Sequence, residues 1–259
     1  MKYIPENIAL YARLKGISER AALQVFLQIL VLKNIRWSKQ KMIGGTVLVL
    51  GHGNPRFSED IDLTALNDPM SLETDLQKAG HEVGVWLKAK AKLTAPKPGK
   101  STWKLKVCFD DEPGQISLHI DSQTYPSHSS HSVVVAFQGI PPFIIPSVSL
   151  VEIMADKLIA LAMRHYVGGR DIFDLWYHWF NTPDSAKSDK PVLDILKKKA
   201  KDRKIKEDII TLAGTRLAKT IPSRCVDEWD RYLPQNLRHE GLYQTIYKTV
   251  QSKLEKLKK

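Results

Sequence analysis

The period at which apolar residues recur changes along this chain, and that change limits its fold more than any other feature. From Ser149 almost to the end the period is helical, predicting helices at 149–164, 170–180, 192–203, 206–219 and 240–257. Before Pro146 it switches back and forth. Leu10 and Leu14, then Leu23, Phe26, Leu27 and Leu30, lie at helical spacing on either side of Gly16, which predicts two helices between Pro5 and Asn34. A strand from Lys41 enters Gly44-Gly45, and a short helical turn runs from Thr46 toward Gly51. Polar and apolar residues then alternate over 58–64, as a half-buried strand requires. A helix near 71–79 precedes strands at 83–93, 102–109 and 115–122, with turn formers at 110–114 and a further strand at 132–137. Pro141, Pro142 and Pro146 read as a connector. The expected class is α+β: a mixed sheet flanked by helices over 1–146, followed by a helical domain over 147–259.

A hydrophobic fraction of 43% over 259 residues suffices for a real core, so disorder is not expected. No run approaches the roughly 18 apolar residues a membrane span needs, and the segment Met1 to Glu6 lacks a signal peptide's layout. The expected location is the cytoplasm, with no membrane partner. Cys108 and Cys225 stand far apart without close Cys or His companions, which argues against a disulfide framework or structural zinc. Lys and Arg number 39 against 28 Asp and Glu, a formal net charge of +11. Such a surface attracts polyanions, nucleic acid above all, because neutralised phosphates release counterions; the same charge also serves plain solubility.

Asp60 and Asp62 stand two apart in the alternating segment, so both carboxylates project to one face while Ile61 and Leu63 point to the other. Carboxylate oxygens are the ligands a hard cation such as Mg²⁺ prefers, and Asp121 on a later strand is a natural third. Alone, an acid pair of this kind is most often solvated strand surface. The upstream element changes that reading. Gly44-Gly45 lets backbone approach a ligand closely, and Thr46 sits where a helix begins, with amides and a hydroxyl available to phosphate oxygens. Other features are weaker. His128 and His131 read as a solvated Ser-rich loop, and Trp176, Tyr177, Trp179 and Phe180 as core and interface residues. The Lys-rich run 197–206 reads as a solvated helix face that could also grip an RNA backbone.

Gly44-Gly45-Thr46 followed by Arg56-Phe57-Ser58-Glu59-Asp60-Ile61-Asp62-Leu63 resembles the AbiEii/AbiGii nucleotidyltransferase-type toxins, within the DNA polymerase beta-like superfamily. Glu152 to Leu158, which contains Lys157, and Arg170 to Leu175 resemble that group's later motifs. The resemblance implies that Gly44, Gly45, Thr46 and Ser58 cradle a nucleoside triphosphate and that Asp60, Asp62 and Asp121 bind Mg²⁺, or Mn²⁺ in its place. It further implies that Lys157 neutralises phosphate charge, that Asp171 and Asp174 act at the site, and that the helical half closes the nucleotide cleft. Arg56 reads equally as a phosphate contact or as a loop anchor bound to a carboxylate. On helical geometry Asp171 and Asp174 share a face beside Arg170 and read also as a charge cluster on the helix dipole.

Three functions compete. The first is pyrophosphate-releasing transfer of a nucleoside monophosphate from a triphosphate to RNA, by resemblance to tRNA, as the toxin of a toxin-antitoxin or phage-defence system with a cognate antitoxin. The second is the same chemistry on a protein hydroxyl. The third is a catalytically inactive nucleic-acid-binding module, which has no physical need for clustered carboxylates.

Overall fold

The computed structural model describes residues 4–37, 40–65, 72–98, 100–109, 115–181, 189–220 and 223–258. The chain divides into two compact units, one of Met1–Gly51 with Phe57–Ser147 and one of His52–Arg56 with Val148–Lys259.

The first unit is built on a seven-stranded mixed sheet in the order β3-β4-β5-β2-β1-β7-β6. Its strands are β1 (Gln40–Ile43), β2 (Ile61–Ala65), β3 (Lys90–Thr94), β4 (Thr102–Cys108), β5 (Gln115–Gln123), β6 (His131–Phe137) and β7 (Ile140–Ser147). Helices α1 (Glu6–Lys15) and α2 (Glu19–Asn34) meet at Gly16, whose φ of +62° ends α1 in the left-handed region that glycine enters without strain. Ser18 caps α2 by accepting from the Ala21 amide. Every residue of α2 from Ala22 to Leu32 is buried. That helix and α4 (Glu73–Leu87) cover the sheet's apolar face; Phe26 packs on Phe137, and Gly80 approaches Leu105.

Four local expectations need correction. The segment 83–87 is helical, because Leu76, Ala79 and Val83 form one buried stripe at helical spacing. Lys88, at φ +48°, ends that helix, and the strand occupies only Lys90–Thr94. The prolines 141, 142 and 146 lie in a strand, β7. Its one registered pair with β1 is at Met42 and Ser147, so most of β7 is bonded on one side only and tolerates missing amides. The strand carrying Asp62 begins at Ile61, with 57–60 in irregular backbone. Asp208 caps α8 through the Ile210 and Thr211 amides, so that helix starts at Ile209 and not at Lys206. The turn expected at 110–114 and the start of the helix expected at Ser71 fall outside the described residues.

The second unit is helical: α5 (Leu150–Met163), α6 (Gly169–Phe180), α7 (Lys190–Asp202), α8 (Ile209–Lys219), α9 (Ser223–Tyr232) and α10 (Glu240–Leu257). They enclose one core in which Leu158, Phe173, Trp229, Ile246 and Leu254 are buried. The Lys-rich run contributes to this interior. Lys199 is 4% exposed and bridges Glu152 and Asp156 at 2.8 and 2.9 Å, and Arg203 joins Asp156 at 2.6 Å.

Candidate active site

In the first unit the candidate site residues gather where β1 ends. Ile43 pairs with Asp62 across antiparallel β1 and β2, and Gly44 turns the chain out of the sheet with φ +77°. A Cβ on Gly44 would stand 2.3 Å from Asp62 Oδ2, so glycine is required here by conformation and by contact. The short helix α3 (Gly44–Gly51) starts at that point and sets the early amides of Gly45 and Thr46 at its N-terminus. Thr46 is fully buried. Its hydroxyl donates to the Asp60 carbonyl and meets Ser58 Oγ at 3.0 Å, so the Thr46 side chain braces the 58–60 backbone.

β2 and β5 run parallel, with Asp62 directly opposite Asp121 and Ile61 opposite Ile120. The two acids share the sheet's polar face while Ile61, Leu63 and Ile120 lie in the core. Thr102 on β4, opposite Asp121, donates its hydroxyl to Asp121 Oδ1. Asp60 is half-exposed and faces His119 Nδ1 at 3.4 Å. The structure thus brings Gly44, Asp62 and Asp121 together, with Asp60 on the same face two residues before Asp62.

Two glutamines that the sequence reading passed over hold this arrangement. Gln24 Nε2 donates to the Glu59 and Ser117 carbonyls at 2.9 and 3.0 Å, and Gln28 Nε2 to the Ser58 and Asp60 carbonyls at 2.9 and 3.4 Å. Two amides four apart in the otherwise apolar stretch 22–32 of α2 are the signal that reveals them.

In the second unit a buried ion cluster gathers Arg56, Lys157, Asp171 and Asp174. Arg56 makes a bidentate pair with Asp174 at 2.5 and 2.8 Å, and the Lys157 ammonium reaches Asp171 at 2.7 Å and Asp174 at 2.8 Å. Arg164 adds a bond to Asp171 at 2.5 Å. Asn54 donates to Asp174 at 2.9 Å and accepts from the Arg56 amide at 3.1 Å; its Nδ2 also lies 3.3 Å from His178 Nε2. Tyr177 donates to the Gly53 carbonyl at 2.9 Å. Burial alone would raise the Asp174 pKa, but Arg56 and then Lys157 outweigh it and hold that carboxyl well below its usual range. Burial would likewise lower the Lys157 pKa, yet Asp171 and then Asp174 raise it. Burial pushes His178 down to about 4, so the imidazole is neutral at pH 7. In this structure, therefore, Arg56 and Lys157 are partnered by carboxylates, while Arg170 lies apart, its guanidinium 4.5 Å over the Tyr232 ring.

The candidate donors are carboxylate oxygens, which suit a hard divalent cation, with Asp62 and Asp121 on strands and Asp60 just before one. Among the described residues no group of three or more Asp, Glu, His or Cys side chains is arranged to hold a metal ion by itself.

A mixed sheet that sets two in-register carboxylates against a glycine turn at the head of a helix is the plan of a nucleotidyltransferase, and this chain is one. Over residues 41–256 it matches the family described as Nucleotidyl transferase AbiEii toxin, Type IV TA system, and it belongs to that family. Two solved structures share the fold: a crystal structure of JHP933 from Helicobacter pylori, and a crystal structure described as that of a putative nucleotidyltransferase from H. pylori. Each is 19% identical with a TM-score of 0.53; both cover 93% of this chain, and 96% and 99% of their own chains respectively. No curated protein matches the sequence. Among the described residues no helix is long and apolar enough to cross a membrane.

Proposed function

We propose that the chain transfers a nucleoside monophosphate from a nucleoside triphosphate to RNA, with tRNA the expected acceptor, in a Mg²⁺-dependent reaction. The observation that carries this reading is the in-register pair of Asp62 and Asp121 beside Gly44, with Asp60 on the same face. Asp60, Asp62 and Asp121 would hold the metal, which when bound polarises the α-phosphate and lowers the pKa of the attacking hydroxyl. The Gly45 and Thr46 amides orient the triphosphate through the positive end of α3. Ser58 and Thr46 keep the Asp60 backbone in place by their hydroxyl contacts. Arg56, Lys157, Asp171 and Asp174 act as positioning residues that fix the loop 52–56 on α5 and α6. The net charge of +11 supports a polyanionic acceptor. Growth arrest countered by a cognate antitoxin, as in phage defence, is the corresponding cellular role.

Incubation with each labelled triphosphate, Mg²⁺ and total RNA tests the reading. Ribonuclease-sensitive label that disappears in Asp62→Ala is the expected result. Label that resists ribonuclease and yields to protease, or label undiminished in Asp62→Ala, overturns it.

A further inference from the structure

Strand registers fix which residues stand side by side on the sheet face that bears the carboxylates. Asp62, Asp121 and Thr102 form one row across β2, β5 and β4. Two residues along β5, His119 stands beside Lys104 on β4, which faces Thr94 on β3. A further two residues along, Ser117 stands beside Lys106, which faces Lys92. The opposite face of these strands is apolar and buried, with Trp103, Leu105, Val107, Leu118 and Ile120 inside. Lys92, Lys104 and Lys106 therefore form a strip at the sheet's β3 edge, on the same face as Asp62 and Asp121.

The strip works against the fold's own stability. Lys92 and Lys106 are direct cross-strand partners, a like-charge placement that destabilises an antiparallel pair. No ion pair or hydrogen bond of these three lysine side chains is found among the described residues, whereas Lys33, Lys157, Lys199 and Lys253 each pair with a carboxylate. At a strand spacing of about 4.8 Å, Lys104 and Lys106 lie about 10 Å from the strand of Asp62, and Lys92 about 15 Å. Point charges spread over two strands match a chain of phosphates better than one compact triphosphate. On β3 and β4 this face carries no aromatic side chain to stack a base, so the contact would be to backbone and tolerant of sequence.

We infer that Lys92, Lys104 and Lys106 bind the phosphodiester backbone of the acceptor RNA, laying the strand across β3 and β4 so that its reacting hydroxyl reaches the Asp62 and Asp121 row. This inference rests on RNA being the acceptor. The full-length chain and its Lys92→Ala/Lys106→Ala variant are titrated with a single-stranded RNA oligomer at several salt concentrations, and transfer rates are measured against RNA and against triphosphate. RNA affinity is expected to fall about tenfold, and the slope of log K against log salt to flatten by about 0.7 for each lysine lost. The KM for RNA rises while the KM for triphosphate holds. Lys92→Arg/Lys106→Arg restores both binding and transfer. Removing a like-charge pair leaves the melting temperature equal or higher, which separates lost binding from lost fold. If the chain labels RNA but the double Ala variant keeps the wild-type slope and RNA KM, the strip is overturned and the acceptor stands. If the chain labels only protein, the RNA acceptor is overturned, and the strip falls with it unless the oligomer titration still depends on both lysines.

Discussion

The two charged regions of this molecule hold their ions in opposite ways. In the first unit the Asp60 side chain is 38% exposed and meets a histidine at 3.4 Å. Asp62 stands beside a second carboxylate on the neighbouring strand. In the second unit Arg56, Asp171 and Asp174 are at most 3% exposed, and each carboxylate there takes bonds from more than one cation. A buried ion that loses its partner is left uncompensated at a penalty of several kcal/mol, so such a cluster holds its geometry and resists ligand exchange. Like charges placed side by side at a surface favour the opposite behaviour, since a cation relieves their repulsion. The proposed ligand chemistry accordingly falls to the sheet face, and the holding of shape to the helical cluster.

The largest effect that sharpens this contrast is kinetic. Asp62→Ala removes one of two adjacent carboxylates, and transfer measured in single turnover should fall by about a thousandfold or more, with the melting temperature held or raised. Unchanged transfer would remove the sheet face from the chemistry. The mirror change is Asp174→Ala, which leaves Arg56 without its bidentate partner in the interior. Urea unfolding should show a loss of about 3–5 kcal/mol. Stability unaltered by that substitution would mean that the cluster exchanges its partners readily, and the contrast would fail.

The face of Asp62 was legible in the sequence because a period of two fixes it, whereas Asp60 lies before the strand and is placed by its contact with His119. Asp121 could be placed on a later strand, but its register against Asp62 is a parallel, non-local pairing that no local pattern encodes. The same limit hid β7. Its prolines speak locally against a strand, and only its one-sided neighbourhood in the finished sheet makes them acceptable. Val83, Val85 and Trp86 suggested a strand by residue type, whereas in α4 only Val83 joins the buried helical stripe and Val85 and Trp86 are exposed. Lys157, Asp171 and Asp174 entered through family resemblance. Their mutual pairing, and the parts played by Asn54 and His178, depend on helices α5 and α6 coming side by side.

A smaller effect is expected in the pH dependence of stability. His178 has a folded pKa of about 4 against about 6.5 when unfolded. Between those values the unfolded chain binds more protons, so stability rises with pH and is lost on acidification from about 6.5 to 4, by about 3 kcal/mol. Asp174, with its pKa held below the usual carboxylate range, contributes stability above the unfolded value that disappears only in stronger acid. The two windows are therefore distinct. Unfolding curves from pH 7 to 4 should steepen in this way for the wild type and flatten in His178→Gln; a wild-type curve flat over that interval would show His178 to be open to solvent protons.

The smallest expected change crosses from one behaviour to the other, because Gln28 is a buried group serving the open site. It is 1% exposed, and its amide donates to the carbonyls of Ser58 and Asp60. Gln28→Ala deletes those bonds and leaves two carbonyls poorly satisfied, which should lower stability by about 1–2 kcal/mol. The backbone that aims the Asp60 carboxylate loses one of its two braces from α2, while Gln24 still holds the Glu59 carbonyl and the Thr46 hydroxyl the Asp60 carbonyl. A displacement of that kind alters how reacting groups are placed more than whether the triphosphate binds, so kcat should fall severalfold with the triphosphate KM nearly constant. If stability drops and kcat does not, Gln28 serves only packing, and the 58–60 segment is held sufficiently by Thr46 and Gln24 alone.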